Sequence, residues 1–267
     1  MPRAPLLFDR NVAQWLEYSK SQKGRLRQEL IWCNLKRHLT SRRDALRVLD
    51  VGCGLGEMAS LLFGKASSLV LLDFSEKMLE TARQRLVENH PDLNIDFITF
   101  IHGRVEDLDD CLPRGLFDVI LCHTLVEYVN NPRGVVTSLA QRLAQGGILS
   151  LVVVNSLSEV LKLAIVKNDL AGARQALQKR DFHASLFEGV RKRTFSLETL
   201  EELVHGLNLE VSGRYGIRVF TDYLPHQMAS APENYRLLFD LEKEASRLLP
   251  YLNVSRYLHL ICKSRTD

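Results

Sequence analysis

A chain of 267 residues with 46% hydrophobic content is long enough for one large α/β domain and too apolar to stay disordered. Charged residues make up 25% and the net charge is +3, so composition neither demands nor excludes a nucleic-acid partner, and any electrostatic footprint must be local. The most membrane-like run, Ile148 to Val154, is far too short to cross a bilayer and reads as a buried strand.

In chain order, residues 1–24 carry little periodicity and end in the polar stretch Ser19 to Gly24, and MPRAPLLFDR lacks the apolar core of a signal peptide. Leu26, Leu30, Cys33, Leu35 and Leu39 then recur at helical spacing. Arg47 to Val51 reads as a buried strand, Gly52-Cys53-Gly54-Leu55-Gly56 as a tight turn, and Glu57 to Phe63 as the start of a helix. A second strand, Leu69 to Leu72, closes on Asp73. Ser75 caps a helix to about Asn89, which stops near Pro91. Ile95 to Ile101 and Phe117 to Cys122 are strands three and four. Pro132 to Ala144 is a helix ended by Gly146-Gly147, and Ile148 to Val154 is strand five.

This β-α-β-α rhythm predicts a parallel sheet with helices on both faces, a Rossmann-like α/β fold. Beyond 155 the rhythm loosens. Ser158 to Leu177 reads as helix, Lys179 to Arg193 as basic and irregular, and Leu197 to His205 as helix. Leu209 to Phe220 and Ser255 to Lys263 read as the last strands, with a helix near Glu233 to Leu248 between them. The expected organisation is an N-terminal helical segment at 1–45 and a catalytic domain at 46–267 with a small helical insertion at about 155–195. Five cysteines (Cys33, Cys53, Cys111, Cys122, Cys262) include no C-x-x-C pair, so reduced thiols, a cytoplasmic location and no metal site are expected.

The strongest constellation is Val48 to Gly56 followed by Asp73. Glycines 52, 54 and 56 let the backbone turn sharply and approach a ligand with no Cβ between. Asp73, about 20 residues on at a strand end, can accept hydrogen bonds from ribose hydroxyls. A dinucleotide site is written G-x-G-x-x-G, whereas this run is G-x-G-x-G with Asp50 two residues before it, and Glu57 stands where the third glycine of the dinucleotide pattern would fall. It resembles motif I of class I S-adenosylmethionine (SAM) methyltransferases. Arg104-Val105-Glu106-Asp107 resembles the segment that brackets adenine in that superfamily. Phe117 to His123 resembles its fourth-strand motif, which puts His123 at the mouth of the site. Leu143 to Leu149 resembles its L-x-P-G-G-x-L turn, with Gln145 in place of proline. The cofactor residues implied are Arg27, Asp50, Gly52, Cys53, Gly54, Asp73, Val105, Glu106 and His123, with Cys53 fitting the tight turn.

A narrower resemblance spans nearly the whole chain, to the bacterial tRNA uridine-5-oxyacetic acid methyltransferases. It is carried by Lys23 to Gln28, by Gly216 to Tyr223, and by Pro250-Tyr251 with Arg256 to His259; Glu127-Tyr128 stands where that family tends to have Glu-Trp. It implies methyl-ester formation on a wobble-uridine acid in the anticodon loop of tRNA, and gives Arg27 the carboxylate of SAM's methionine moiety. A carboxylate is ionised at neutral pH and can attack a sulfonium methyl without a general base, so the enzyme has chiefly to align the reactants. It also needs a cationic partner, preferably a bidentate one, for which Arg218 and Arg256 are the candidates, with Tyr223 beside them. Lys179-Arg180 and Arg191-Lys192-Arg193, with Lys20, Lys23 and Arg25, can meet phosphates. Methylation of a small metabolite, and a non-catalytic SAM- or tRNA-binding protein, remain open alternatives.

Overall fold

The computed structural model describes residues 8–39, 45–91, 95–178, 183–185 and 191–265. Seven strands form one sheet: β1 (Leu46–Val51), β2 (Ala66–Asp73), β3 (Ile98–His102), β4 (Phe117–His123), β5 (Leu143–Val154), β8 (Leu209–Ile217) and β9 (Tyr257–Ser264), in the order β3-β2-β1-β4-β5-β9-β8. The first five are parallel, as the alternation of strands and helices requires, and β9 and β8 join antiparallel.

Alternation along the strands divides the core into two layers. Leu49, Val51, Val70, Leu72, Ile120, Leu149 and Leu151 face one layer with Val135, Val136 and Leu139, and with Leu200 and Val204. Val48, Leu69, Leu71, Val119, Leu121 and Ile261 face the other with Leu26, Leu30, Ile31 and Leu35, with Met58 and Leu62, and with Leu238. Strands buried on both faces explain the nearly unbroken apolar runs at 69–72 and 148–154.

Several elements differ from the sequence reading. Part of the stretch read as aperiodic is helical: α1 (Val12–Lys20) ends at Ser21, whose hydroxyl accepts the Gly24 N–H at 3.1 Å as α2 (Gln22–Leu39) begins. After α3 (Glu57–Leu62), α4 (Glu76–Asn89) starts as expected, with the Ser75 hydroxyl accepting from the Met78 N–H. Residues Ile95–Phe97 form a 3-10 turn, so β3 starts at Ile98. Past α5 (Leu108–Cys111), helix α6 (Pro132–Gln141) stops short of Gly146-Gly147, which lie inside β5; Gly146 at φ +65° permits the bulge that shifts the register between Phe117 and Val119.

The helix expected at 158–177 is two, α7 (Ser156–Leu161) and α8 (Leu170–Gln178), with a π turn at Lys162–Val166. Asn168 takes φ +53°, which Asn tolerates, and the Asp169 carboxylate accepts the Gly172 N–H to restart the helix. Strands β6 (His183–Ser185) and β7 (Arg191–Arg193) pair as a separate hairpin. Beyond α9 (Leu197–Val204), β8 ends at Ile217 because Arg218 turns the chain at φ +63°. Helices α10 (His226–Ser230), α11 (Tyr235–Ala245) and α12 (Leu249–Val254) lead into β9.

Candidate active site

Strand order reverses between β1 and β4, and in open α/β sheets ligands bind beyond the strand ends at that point. The main cleft lies there. Its lining includes Arg27, Asp50, Gly52, Cys53, Gly54, Asp73, Val105, Glu106 and His123, so all nine residues expected to meet the cofactor share one space. Gly52 and Gly54 have φ of +69° and +53°, and a Cβ on Gly54 would meet nothing within 4 Å, so the backbone there is bare toward a ligand. The Asp73 carboxylate accepts the N–H groups of Gly54 and Ser75, each at 2.9 Å, which fixes its orientation. Burial pushes its pKa up to about 6, against those N–H groups. Asp50 is held well above the usual carboxylate range by burial, then by the nearby charges of Glu57 and Asp73. An acidic floor of this kind favours a cation and repels a pyrophosphate.

The other wall comes from the segment in which the sequence showed little periodicity. Phe8, Trp15 and Tyr18 line the cleft; Phe8 packs edge-on against Phe74 and Tyr128, at 5.1 and 5.4 Å between ring centres. Phe8, Trp15 and Tyr18, spaced so that the last two share a helix face, were the available signal. Arg27, on α2, is 7% exposed and has no carboxylate partner among the described residues: one Nη donates to the Thr124 hydroxyl at 3.2 Å, and its Nε is buried without a partner.

Arg218 and Arg256 do not line the cleft, though Arg218 touches Tyr18, which does. Arg218 makes a two-pronged pair with Asp222, with Nε to Oδ2 at 2.9 Å, and its Nη1 donates to the Tyr18 hydroxyl at 2.6 Å. Arg256 pairs with Glu159 and donates to the Ser158 hydroxyl at 3.2 Å. Both arginines are therefore engaged with the protein's own acids. Glu242, fully buried, accepts the N–H groups of Val219, Phe220 and Thr221 and so fixes the loop that follows Arg218. Tyr223 lies on this loop outside the cleft lining, its hydroxyl pushed up to about 12 by burial and then by Asp222.

Lys192, on the β6–β7 hairpin, points inward and is buried, so it is not the solvated phosphate contact its basic neighbours suggested. Burial lowers its pKa. Lys179 and Arg180, read with it as one basic stretch, lie outside the described residues. The hairpin is tied to the site by the Arg193 N–H on the Glu127 carbonyl at 3.0 Å, and the Glu127 carboxylate, accepting the Val154 N–H at 2.9 Å, is pushed up to about 7 chiefly by burial.

His123 is the first member of a buried polar chain. Its Nε2 lies 2.8 Å from the Ser150 hydroxyl, which lies 2.9 Å from Nε2 of His259. Ser150, an interruption of an apolar strand in the sequence, is the bridge between two imidazoles. Burial, then the neighbouring His259 and Arg27, hold His123 well below the usual histidine range; burial and His38 bring His259 to about 3. Both are neutral at pH 7. Among the described residues no group of acids, histidines and cysteines could hold a metal ion, and no helix is long and apolar enough to cross a membrane.

The methyltransferase-domain family matches residues 49–151, the stretch that holds the floor of the cleft. Among solved structures, the N-methyltransferase NodS from Bradyrhizobium japonicum, in complex with S-adenosyl-L-homocysteine, superposes with a TM-score of 0.59 at 15% identity, covering 98% of both chains. Sheet order, glycine turn and acidic switch-point cleft together define a class I SAM-dependent methyltransferase. Two Escherichia coli proteins named tRNA 5-carboxymethoxyuridine methyltransferase are 31% identical over 244 residues and 30% over 250, each match covering 90% of this chain and 89% of the relative. The chain belongs to that tRNA-modifying methyltransferase family.

Proposed function

We propose that this enzyme converts uridine-5-oxyacetic acid (5-carboxymethoxyuridine) at the wobble position of tRNA to its methyl ester, working in the cytoplasm where tRNA is modified. The observation that carries this reading is the concentration of buried cations, Arg27, Lys192, Arg218 and Arg256, beside a cleft with an acidic floor. Such a wall suits a substrate that arrives as an anion, and relatives bearing that activity in their names support it.

SAM, when bound, supplies an electrophilic methyl group. The residues fit it: Asp73 for the ribose hydroxyls, Val105 and Glu106 for the adenine, and Arg27, whose buried Nε lacks a partner, for the carboxylate. Asp50, Gly52, Cys53 and Gly54 shape the turn against it, and His123, neutral, offers a hydrogen bond rather than a charge. On the substrate side Arg218 and Arg256 supply positive potential, and Tyr223 stands at their edge. The chain's work is to align a nucleophile that is already ionised, which can supply much of the rate. Exposed Lys20 and Arg25, with Lys23 and Arg193, supply phosphate contacts for the anticodon stem.

Mass spectrometry of tRNA nucleosides from cells with and without the gene tests the proposal. Loss of the wobble methyl ester with retention of the free acid is expected. Unchanged nucleosides would reject tRNA as the substrate and leave a small carboxylic acid in its place.

A further inference from the structure

Tyr257, the first residue of β9, is enclosed by positive charge. The guanidinium carbons of Arg27, Arg218 and Arg256 lie 4.9, 5.5 and 5.8 Å from its ring centre, and Lys192 acts on it from the hairpin. These cations come from α2, the end of β8, the approach to β9, and β7. The carboxylates that answer them are Asp222 on Arg218, Glu159 on Arg256, and Glu127 near Lys192. Lys23, 3.7 Å from Asp222, joins the four cations, so five cations face three carboxylates; a SAM carboxylate on Arg27 would answer one of the two unmatched charges and leave one, and protonation of Glu127 would leave more. The remaining neighbours that can titrate are Tyr18 and Tyr128, both held well above the ordinary tyrosine value by burial first. Tyr18 is further fixed as a donor: Arg218 donates to its hydroxyl, and a side-chain hydrogen bond links it to Tyr257. A buried charge without a counter-ion is costly, so a site built this way calls for an anion.

We propose that Tyr257 is that anion in the free enzyme, a phenolate that stands in for the substrate carboxylate and takes up a proton when the carboxylate arrives. The reading rests on the proposed carboxylate substrate and adds what holds the site while it is empty. Burial alone would push the Tyr257 phenol up, but Arg218, Arg27, Arg256 and Lys192 together outweigh it and bring it to about 7. The charges balance at each stage. Before the substrate enters, the phenolate matches the cation that the SAM carboxylate leaves over. When the substrate carboxylate enters, a proton from solvent neutralises the phenolate, so two anions never compete for one positive charge. Methylation turns the carboxylate into a neutral ester, the unmatched charge reappears, and Tyr257 returns its proton to solvent. The ester then has no charge to hold it, which favours release. Tyr257 is a positioning residue in this scheme, because it sets the charge of the arginines and does not touch the methyl group.

The test uses the full-length protein and three probes: 5-carboxymethoxyuridine, its methyl ester, and acetate. Free protein should gain about one tyrosinate in near-ultraviolet absorbance between about pH 6 and pH 8.5, absent in Tyr257→Phe. At pH 8.5 the carboxylate should abolish that signal and the ester should not. Calorimetry in buffers of different ionisation enthalpy should show uptake of about one proton per carboxylate bound at pH 8.5 and almost none at pH 6, a measurement that needs no variant. Carboxylate affinity should fall about tenfold per pH unit above pH 7 in the wild type and stay level in Tyr257→Phe. A free protein with no tyrosinate below about pH 9, or carboxylate binding without proton uptake at pH 8.5, overturns the proposal. The two readings also fail separately. Esterified tRNA without a tyrosinate removes the phenolate alone. A tyrosinate discharged by acetate, in a protein that leaves tRNA unmethylated, removes the proposed substrate alone.

Discussion

The floor of the cleft and its cationic wall are built in opposite ways. The floor comes from local sequence: Asp50, the glycine turn and Asp73 lie within 24 residues, at the ends of two adjacent parallel strands, and the Asp73 carboxylate accepts from Gly54 and Ser75 beside it. The wall draws Tyr18, Arg27, Glu127, Glu159, Lys192, Arg218 and Arg256 from across the whole chain, and its ion pairs span gaps of up to 97 residues. A floor of that kind can be shared by many methyltransferases whatever they methylate. A wall of this kind suits one substrate class, and it stands or falls as a unit because its ion pairs and the Arg218–Tyr18 hydrogen bond tie separate segments together.

The largest effect is therefore expected in the wall. Arg218→Ala leaves Asp222 without its two-pronged partner and keeps a side chain at φ +63°; breaking such a pair costs about 3–5 kcal/mol when fully buried, and the partial exposure of Asp222 brings the expected loss nearer about 3. Urea unfolding checks this. Removing both partners in Arg218→Met with Asp222→Leu should recover much of the stability and none of the turnover. If the single variant is as stable as wild type, the wall is not a coupled unit.

Next comes the floor. Asp73→Ala removes the acceptor for two backbone N–H groups and for the ribose, and SAM affinity measured by calorimetry should weaken by about 1–3 kcal/mol. Arg256→Ala, at a residue outside the cleft lining, should change that affinity little. An equal loss in both variants would mean that floor and wall are one site, and the contrast between them would dissolve.

A smaller effect is expected at the bridge between imidazoles. Ser150→Ala leaves two buried ring nitrogens without their shared partner, worth about 1–3 kcal/mol of stability by denaturation, and should change SAM affinity less than Asp73→Ala does. An unchanged unfolding midpoint would show that the His123–Ser150–His259 chain contributes nothing.

The same contrast explains what the sequence made legible. Five parallel strands and the floor could be read because each needs only short-range pattern: an apolar run, a glycine, an acid at a strand end. Arg218 and Arg256 stand out in the sequence as substrate cations, and Asp222 lies only four residues from Arg218, but Glu159, the partner of Arg256, does not stand out, since no spacing rule links residues 97 apart. Lys192 looks like part of a solvated basic run because composition cannot show which way a hairpin faces. Tyr18 and Trp15 escape notice because a nine-residue helix with no buried residue carries a weak amphipathic signal. Gly146-Gly147 reads as a helix stop, when tertiary pairing with β4 makes it a bulge.

The smallest expected effect is a flat line, and it tests what kind of nucleophile the wall serves. An amine or hydroxyl nucleophile must usually lose a proton, so a base would titrate in the rate profile. A carboxylate needs none, and His123 is poorly suited to act as one, because burial, His259 and Arg27 hold it well below 6.5. The single-turnover rate at saturating substrate should thus stay level from about pH 6 to pH 8.5, in the wild type and in His123→Gln alike. Folding should feel the same histidine even though chemistry does not. Its native pKa is depressed, so below the unfolded value near 6.5 the unfolded chain takes up a proton that the native state refuses, and stability is lost as pH falls. The wild type should therefore lose up to about 1.4 kcal/mol per pH unit relative to His123→Gln below about pH 6.5, and nothing above it. Asp73 and Glu127, raised to about 6 and about 7, act in the opposite sense in both proteins, which is why the difference between the two is the quantity to measure. An ascending limb near pH 6.5 in the single-turnover rate, absent from the variant, would make His123 a general base and turn the wall into a site for something other than a carboxylate.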